Sequence, residues 1–124
     1  MLVCGYNFQA NQANAYFECS SGLSQCEDAK LTYGGNKTVV SKSVYFSKGQ
    51  SIIFDWQNDS PGIHHVAFYV VRGNEKVSET IYATSVGSNY DVITATESGF
   101  YSLYALCKGG EDNRCQGGGT IRRF

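Results

Sequence analysis

Residues 50–71, "QSIIFDWQNDSPGIHHVAFYVV", decide the fold class. In the first run, 50–57, Ile52, Phe54 and Trp56 fall on one face and Asp55 and Gln57 on the other, the period-two alternation of a half-buried strand. The second run, 63–71, is apolar on both faces, so it is expected to be buried on both sides as the central strand of a sheet. Between them, "NDSPG" supplies the Asn, Pro and Gly of a chain reversal. The same grammar repeats outward: strands are expected at 29–33, 37–46, 76–84, 89–95, 99–107 and 119–124, and on the N-terminal side at 2–8 and 13–19. The turns "GGN", "SKGQ", "VRGNEK", "SVGSN" and "TESG" separate them. No segment carries the 3.6-residue period of a long helix. Nine or ten short strands at this spacing predict an all-β antiparallel sandwich or a barrel.

With 124 residues the chain is one domain, residues 1–124, with residues 1–28 as an N-terminal strand and arm. Ten basic and eleven acidic side chains give a formal charge of −1. No stripe of Lys and Arg is present to neutralise phosphates, so nucleic acid is not expected as a partner. No apolar run approaches the ~20 residues of a transmembrane helix. Five cysteines, 14 glycines, nine tyrosines and one proline point to an exported, disulfide-stapled domain. Cys19 and Cys26 enclose "SSGLSQ", and Cys107 and Cys115 enclose "KGGEDNR"; each pair reads as a staple across a turn. Two bonds among five cysteines leave five choices of odd thiol and three pairings of the rest, and Cys4 is taken as the spare because it lies far from the other four. "MLVCGYNF" is too short for a leader, so a leader is expected to have been removed, and Val3 fits poorly with a lipoprotein signal ending at Cys4.

Two stretches carry a family resemblance. "YFSKGQSIIFDWQN" followed by "VITATESGFYSLYALC" resembles the secreted jelly-roll modules of the bacterial pre-peptidase C-terminal kind, and more distantly GOLD domains. That resemblance covers residues 44–107 and implies a jelly-roll-like sandwich without catalytic activity that helps an extracellular protein bind, assemble or stay soluble. "KGQSIIFDWQNDSPGIHHVAFYV" is also similar to the part of a cupredoxin leading to its first copper-ligand histidine, and "CKGGEDNRCQGGGTI" to the end of a phytocyanin. This second resemblance implies His64 as first ligand and Cys107 as thiolate, but the second histidine and axial positions fall near Arg114 and Gly119, which leaves the copper-ligand set incomplete.

Several residues are candidates for chemistry. On an extended strand His64 and His65 point to opposite faces, so one metal ion does not take both; a structural histidine bonded to a carbonyl competes with a surface metal site borrowing Asp55 or Asp59. The oxygens of "DWQND" and "GGEDNR" suit calcium, though neither loop has a calcium-motif spacing. No Gly-x-Ser-x-Gly turn or Cys-His-Asn arrangement is present, and a disulfide explains Cys107 more simply than a nucleophile does, so no enzyme is expected. Trp56, with Asp55, Gln57 and Asn58 beside it, has the composition of a sugar-binding site, against the alternative that Trp56 packs in the core with Ile52 and Phe54. Asn36 in "NKT" is a glycosylation acceptor if the source is eukaryotic.

The combined expectation is a secreted, non-catalytic sandwich serving as a structural or adhesive subunit of an extracellular assembly. It would self-associate by strand pairing, with Cys4 forming an intermolecular disulfide. A glycan-binding module for a polysaccharide, a cupredoxin-like protein with a degenerate copper site, and a secreted toxin or effector are the alternatives.

Overall fold

The computed structural model describes residues 17–19 and 25–123. The expected strand at 2–8, most of that at 13–19, and Cys4 lie outside the described residues; 17–19 run without regular structure. Among the described residues ten strands form two antiparallel sheets packed face to face, a sandwich rather than a barrel. In chain order they are β1 (Cys26–Leu31), β2 (Thr38–Val40), β3 (Val44–Phe46), β4 (Ser51–Asn58), β5 (Val66–Arg72), β6 (Glu75–Lys76), β7 (Ile81–Ala83), β8 (Ser88–Thr94), β9 (Gly99–Cys107) and β10 (Gly117–Arg123). A 3₁₀ turn, Lys108–Gly110, follows β9.

The smaller sheet has the order β1-β10-β4-β8, while in the larger β9 is flanked by β2 and β3 on one side and β5 on the other, with β6 and β7 beyond β5. The connection through "NDSPGIHH" therefore carries the chain from one sheet to the other. β9 and β5 pair with each other and are both interior, each bordered on its other side by two short strands, so the run 63–71 takes an interior position as expected and shares it with 99–107.

The core is the apolar alternation of the inner faces brought together. Ile52, Phe54 and Trp56 of β4 and Ile121 of β10 meet Val66, Phe68 and Val70 of β5 and Tyr101, Leu103 and Ala105 of β9. Phe54 and Phe68 make an edge contact across the sheets at 6.0 Å, and Phe46 and Tyr101 another at 5.6 Å. Tyr101 is buried, and its hydroxyl donates to the Glu97 carbonyl four residues back, tying the turn before β9 to that strand.

Three expected strands are interrupted or shifted for identifiable reasons. The run 37–46 is broken into β2 and β3 because the Ser41 hydroxyl, not a backbone carbonyl, accepts the Leu103 N–H at 2.9 Å. The run 76–84 is likewise broken where the Ser78 hydroxyl accepts the Val70 N–H at 2.8 Å. In both places a side chain takes over a ladder bond. The third, β5, begins at Val66 instead of Ile63. The Ile63 N–H is drawn off to the Arg114 carbonyl, and the His65 carbonyl accepts from Lys108 N–H.

Both expected disulfides are present: Cys19–Cys26 and Cys107–Cys115. Each closes a local loop, the second tying the end of β9 to the approach of β10. Among the described residues no helix is long and apolar enough to cross a membrane.

Candidate functional site

Strand alternation sorts the four residues proposed for ligand binding. Asp55 and Gln57 point outward from the smaller sheet, and Trp56 and Asn58 point inward. Trp56 is 0% exposed, so its indole has no free face for a sugar ring; the ligand role assigned to it is corrected to a core role. Asn58, also buried, is the polar partner the indole needs. Its Oδ1 accepts Trp56 Nε1–H at 2.9 Å, while its Nδ2 donates to the carbonyls of Ala83 at 3.0 Å and Thr84 at 2.6 Å. This side chain thus ties β4 to the β7–β8 turn instead of meeting a ligand. Gln57 spends its Nε2 on the Asn58 carbonyl.

Asp55 sits at the floor of a cavity of about 520 Å³ on the outer face of the smaller sheet. Its Oδ1 accepts from the Thr120 amide and hydroxyl, both at 2.8 Å, and its Oδ2 from Arg122 Nη1 at 2.6 Å. The buried carboxylate is thus fully paired, as a buried charge must be. Tyr90 of β8, Phe17 and the Cys19–Cys26 bridge wall the cavity.

His64 and His65 lie in the loop before β5, not on the strand, and they diverge. His64 Nε2 is 3.4 Å from Asp112 Oδ2 and 3.4 Å from Arg114 Nη2, whereas His65 packs its ring edge-on against Tyr82 at 5.8 Å. Among the described residues no three His, Cys, Asp or Glu side chains gather as a metal site. The Arg114 guanidinium already fills the space where a cation would meet Asp112. Cys107 is bonded to Cys115, so it is not a copper thiolate. Of the calcium candidates, Asp55 is committed to Arg122, and Asp112 to Arg114.

The fork of Arg114 on Asp112 holds that carboxyl well below the usual carboxylate range, with lesser contributions from the Arg114 amide and His64. A depressed folded-state pKa stabilises the fold above the unfolded value and loses that effect only as pH falls through the folded value. The Asp112 carboxyl carbon is therefore expected to keep its ionised chemical shift at pH 3 in an NMR titration. A midpoint near the ordinary 3.8 would mean that the fork is not formed in solution.

The outer face of the larger sheet carries what the sequence reading missed. Pairing places Tyr45 beside Phe100, Val40 beside Tyr104 beside Tyr69, and Leu106 beside Ala67 beside Tyr82, all pointing away from the core. Phe100 is 60% exposed, Tyr82 56% and Tyr45 45%. Tyr69 and Tyr104 stack at 5.4 Å, and Tyr45 and Phe100 meet edge-on at 5.3 Å. Lys76 lies over the Tyr69 ring at 4.9 Å and donates to Thr80. Burial, with Tyr104 alongside, pushes the Tyr69 phenol up, so its hydroxyl stays a neutral donor at physiological pH. The signal was available in "YSLYAL" and "AFYVV", whose second faces are aromatic, but it reads as burial until one knows that nothing from the chain's other described strands covers that side.

No family model matches the chain, and no curated protein matches it in sequence. Among solved structures it is similar to the pre-peptidase C-terminal domain of collagenase from Bacillus anthracis, at 18% identity, covering 95% of this chain and 100% of that one with a TM-score of 0.48. It is also similar to the secreted serine protease VesC from Vibrio cholerae, at 9% identity over 74% of this chain, with a TM-score of 0.41. The chain spans 18% of the length of that protease.

Proposed function

We propose that the chain is a secreted, non-catalytic module that adheres to a neutral polysaccharide through the outer face of its larger sheet. The observation that carries this reading is the set of outward aromatic side chains on β3, β9, β5 and β7. An exposed apolar patch of this kind marks an interaction surface. Aromatic rings supply flat apolar area, and the tyrosine hydroxyls supply polar ends, the combination that a sugar ring presents in return. The strand positions that project from this face include one charged residue, Lys76, which is engaged with Tyr69 and Thr80, so the face suits an uncharged polymer over an acidic one. Two disulfides support an oxidising compartment outside the cell.

Assembly by strand addition draws less support from the described edges. β2, β3, β6 and β7 are two or three residues long. The smaller sheet has two longer edges, β1 and β8; of these, β8 directs the N–H groups of Tyr90 and Val92 to the side-chain oxygens of Asn89 and Asp91, each at 2.8 Å, which blunts it as a pairing template. Self-association locked by Cys4 is therefore the second reading.

Depletion from solution by insoluble chitin, cellulose and β-glucan tests the proposal. The intact protein is expected to be retained by at least one of them, and the double variant Tyr69→Ala/Tyr104→Ala to bind at least about tenfold more weakly, roughly 1.4 kcal/mol. Retention by none of the three, or equal binding of the variant, would sink the reading. Stronger retention by an acidic polysaccharide would overturn the choice of a neutral one.

A further inference from the structure

Resting on the reading just given, we propose that the aromatic face of the larger sheet takes a single polysaccharide chain laid obliquely across three ring stations, and not the flat face of a crystalline polymer. Among the described residues the stations are Tyr45 with Phe100, Tyr69 with Tyr104, and Tyr82 with the edge of His65.

Register and twist carry the inference. Phe100 and Tyr104 project from the same face of β9 four residues apart, so the first two stations are separated by roughly 14 Å. Tyr82 lies one strand over from Tyr69 and two residues further along, opposite Ala67, at a distance of roughly 8 Å. The stations therefore step across the sheet from β3 to β7, and a ligand must be several sugar units long to meet all three. From β3 through β9 and β5 to β7 there are three strand-to-strand steps. At roughly 20–25° of twist per step, the outer stations are turned by about 60–75° from each other. Rings within a station differ as well, with planes 69° apart for Tyr45 and Phe100, 28° for Tyr69 and Tyr104, and 63° for His65 and Tyr82. A crystal face offers its sugar rings in one plane and would engage one station at a time, whereas an isolated chain turns about its glycosidic bonds and follows the twist. The strip between the first two stations suits such a chain. There Ser102 pairs with Val71, and Val71 with Lys76, so a small hydroxyl and an ammonium border the strip where a bridging sugar presents its own hydroxyls.

Displacement and titration with cello-oligosaccharides, chito-oligosaccharides and β-gluco-oligosaccharides test the chain-length requirement. For the series whose polymer retains the protein, the hexasaccharide is expected to release it from that polymer and, by isothermal titration calorimetry, to bind at least about tenfold more tightly than the disaccharide. Phe100→Ala and Tyr82→Ala, each at an outer station and each replacing a side chain more than half exposed, are expected to weaken hexasaccharide binding by about fivefold with Tm unchanged. A retained protein that no hexasaccharide releases would assign the face to a crystal surface and overturn the proposal. Equal affinity for disaccharide and hexasaccharide would overturn it too, as would undiminished hexasaccharide binding by both outer-station variants. Retention by none of the three polymers would instead bring down the underlying reading, and this proposal with it, so the two failures are told apart.

Discussion

Gly119→Ala is expected to lower the stability of the fold by about 4 kcal/mol, a fall in Tm of roughly 15 °C for a domain of this size. Gly119 pairs with Trp56 in the β10–β4 ladder. A β-carbon there would run into the Asp55 carbonyl and come within 2.7 Å of the Trp56 ring, and neither can retreat: one is backbone, and the other is locked by Asn58. Gly117, two residues earlier, meets the Gln57 carbonyl and the indole nitrogen in the same way. The glycines of β10 thus serve a close backbone approach that lets the indole lie against the strand. Relief requires β10 to move off β4, and β10 also carries β1, so the disturbance reaches three of the four strands of the smaller sheet. Thermal unfolding followed by the fluorescence of Trp56, the chain's single tryptophan, measures the effect. A Tm within about 3 °C of the parent would mean that the strands approach less closely than described.

The second large effect is expected from Asn58→Ala, at about 3 kcal/mol. Truncation leaves Trp56 Nε1–H without an acceptor in the core and removes the donor to the Ala83 and Thr84 carbonyls. Each buried polar group left unsatisfied costs about 1–3 kcal/mol, and a cavity adds to this. Asn58→Asp separates the two halves of the role. The introduced carboxyl still accepts from Trp56, but it faces two carbonyls in a buried site, which raises its folded-state pKa above the unfolded value. The penalty of the ionised form is therefore present above the folded pKa and fades as pH falls through it. Urea unfolding at pH 7 and pH 4 is expected to show Asn58→Asp less destabilised at the lower pH and Asn58→Ala equally destabilised at both. A pH-independent loss in Asn58→Asp would contradict the buried contacts assigned to this side chain.

Asn58 also shows why part of the site was hidden in the sequence. Beside Trp56, Asp55 and Gln57 it resembles the polar rim of a sugar site, because a ligand-binding Asn and a core Asn bonded to an indole have the same neighbours in the chain. Only the Ala83 and Thr84 carbonyls, 25 and 26 residues away, distinguish them. His64 and His65 were hidden for a related reason. Their apolar neighbours extend the period-two pattern, yet bonds from Ile63 and His65 to the 107–115 loop hold them off the strand.

What the sequence by itself determined is what depends on near neighbours. Period-two alternation placed β1, β4, β5, β8, β9 and β10 to within a few residues, and β2 with β3 and β6 with β7 as one run each, since a strand's two faces are written residue by residue. Both disulfides were legible because each spans seven or eight residues. Tertiary structure alone decided which sheet each strand joins, which of two apolar faces is covered, and where the buried Asn58 and Asp55 find their partners. Those depend on pairings between residues as far apart as Asp55 and Thr120, whose strands meet only when the middle of the chain is brought to its C-terminal strand.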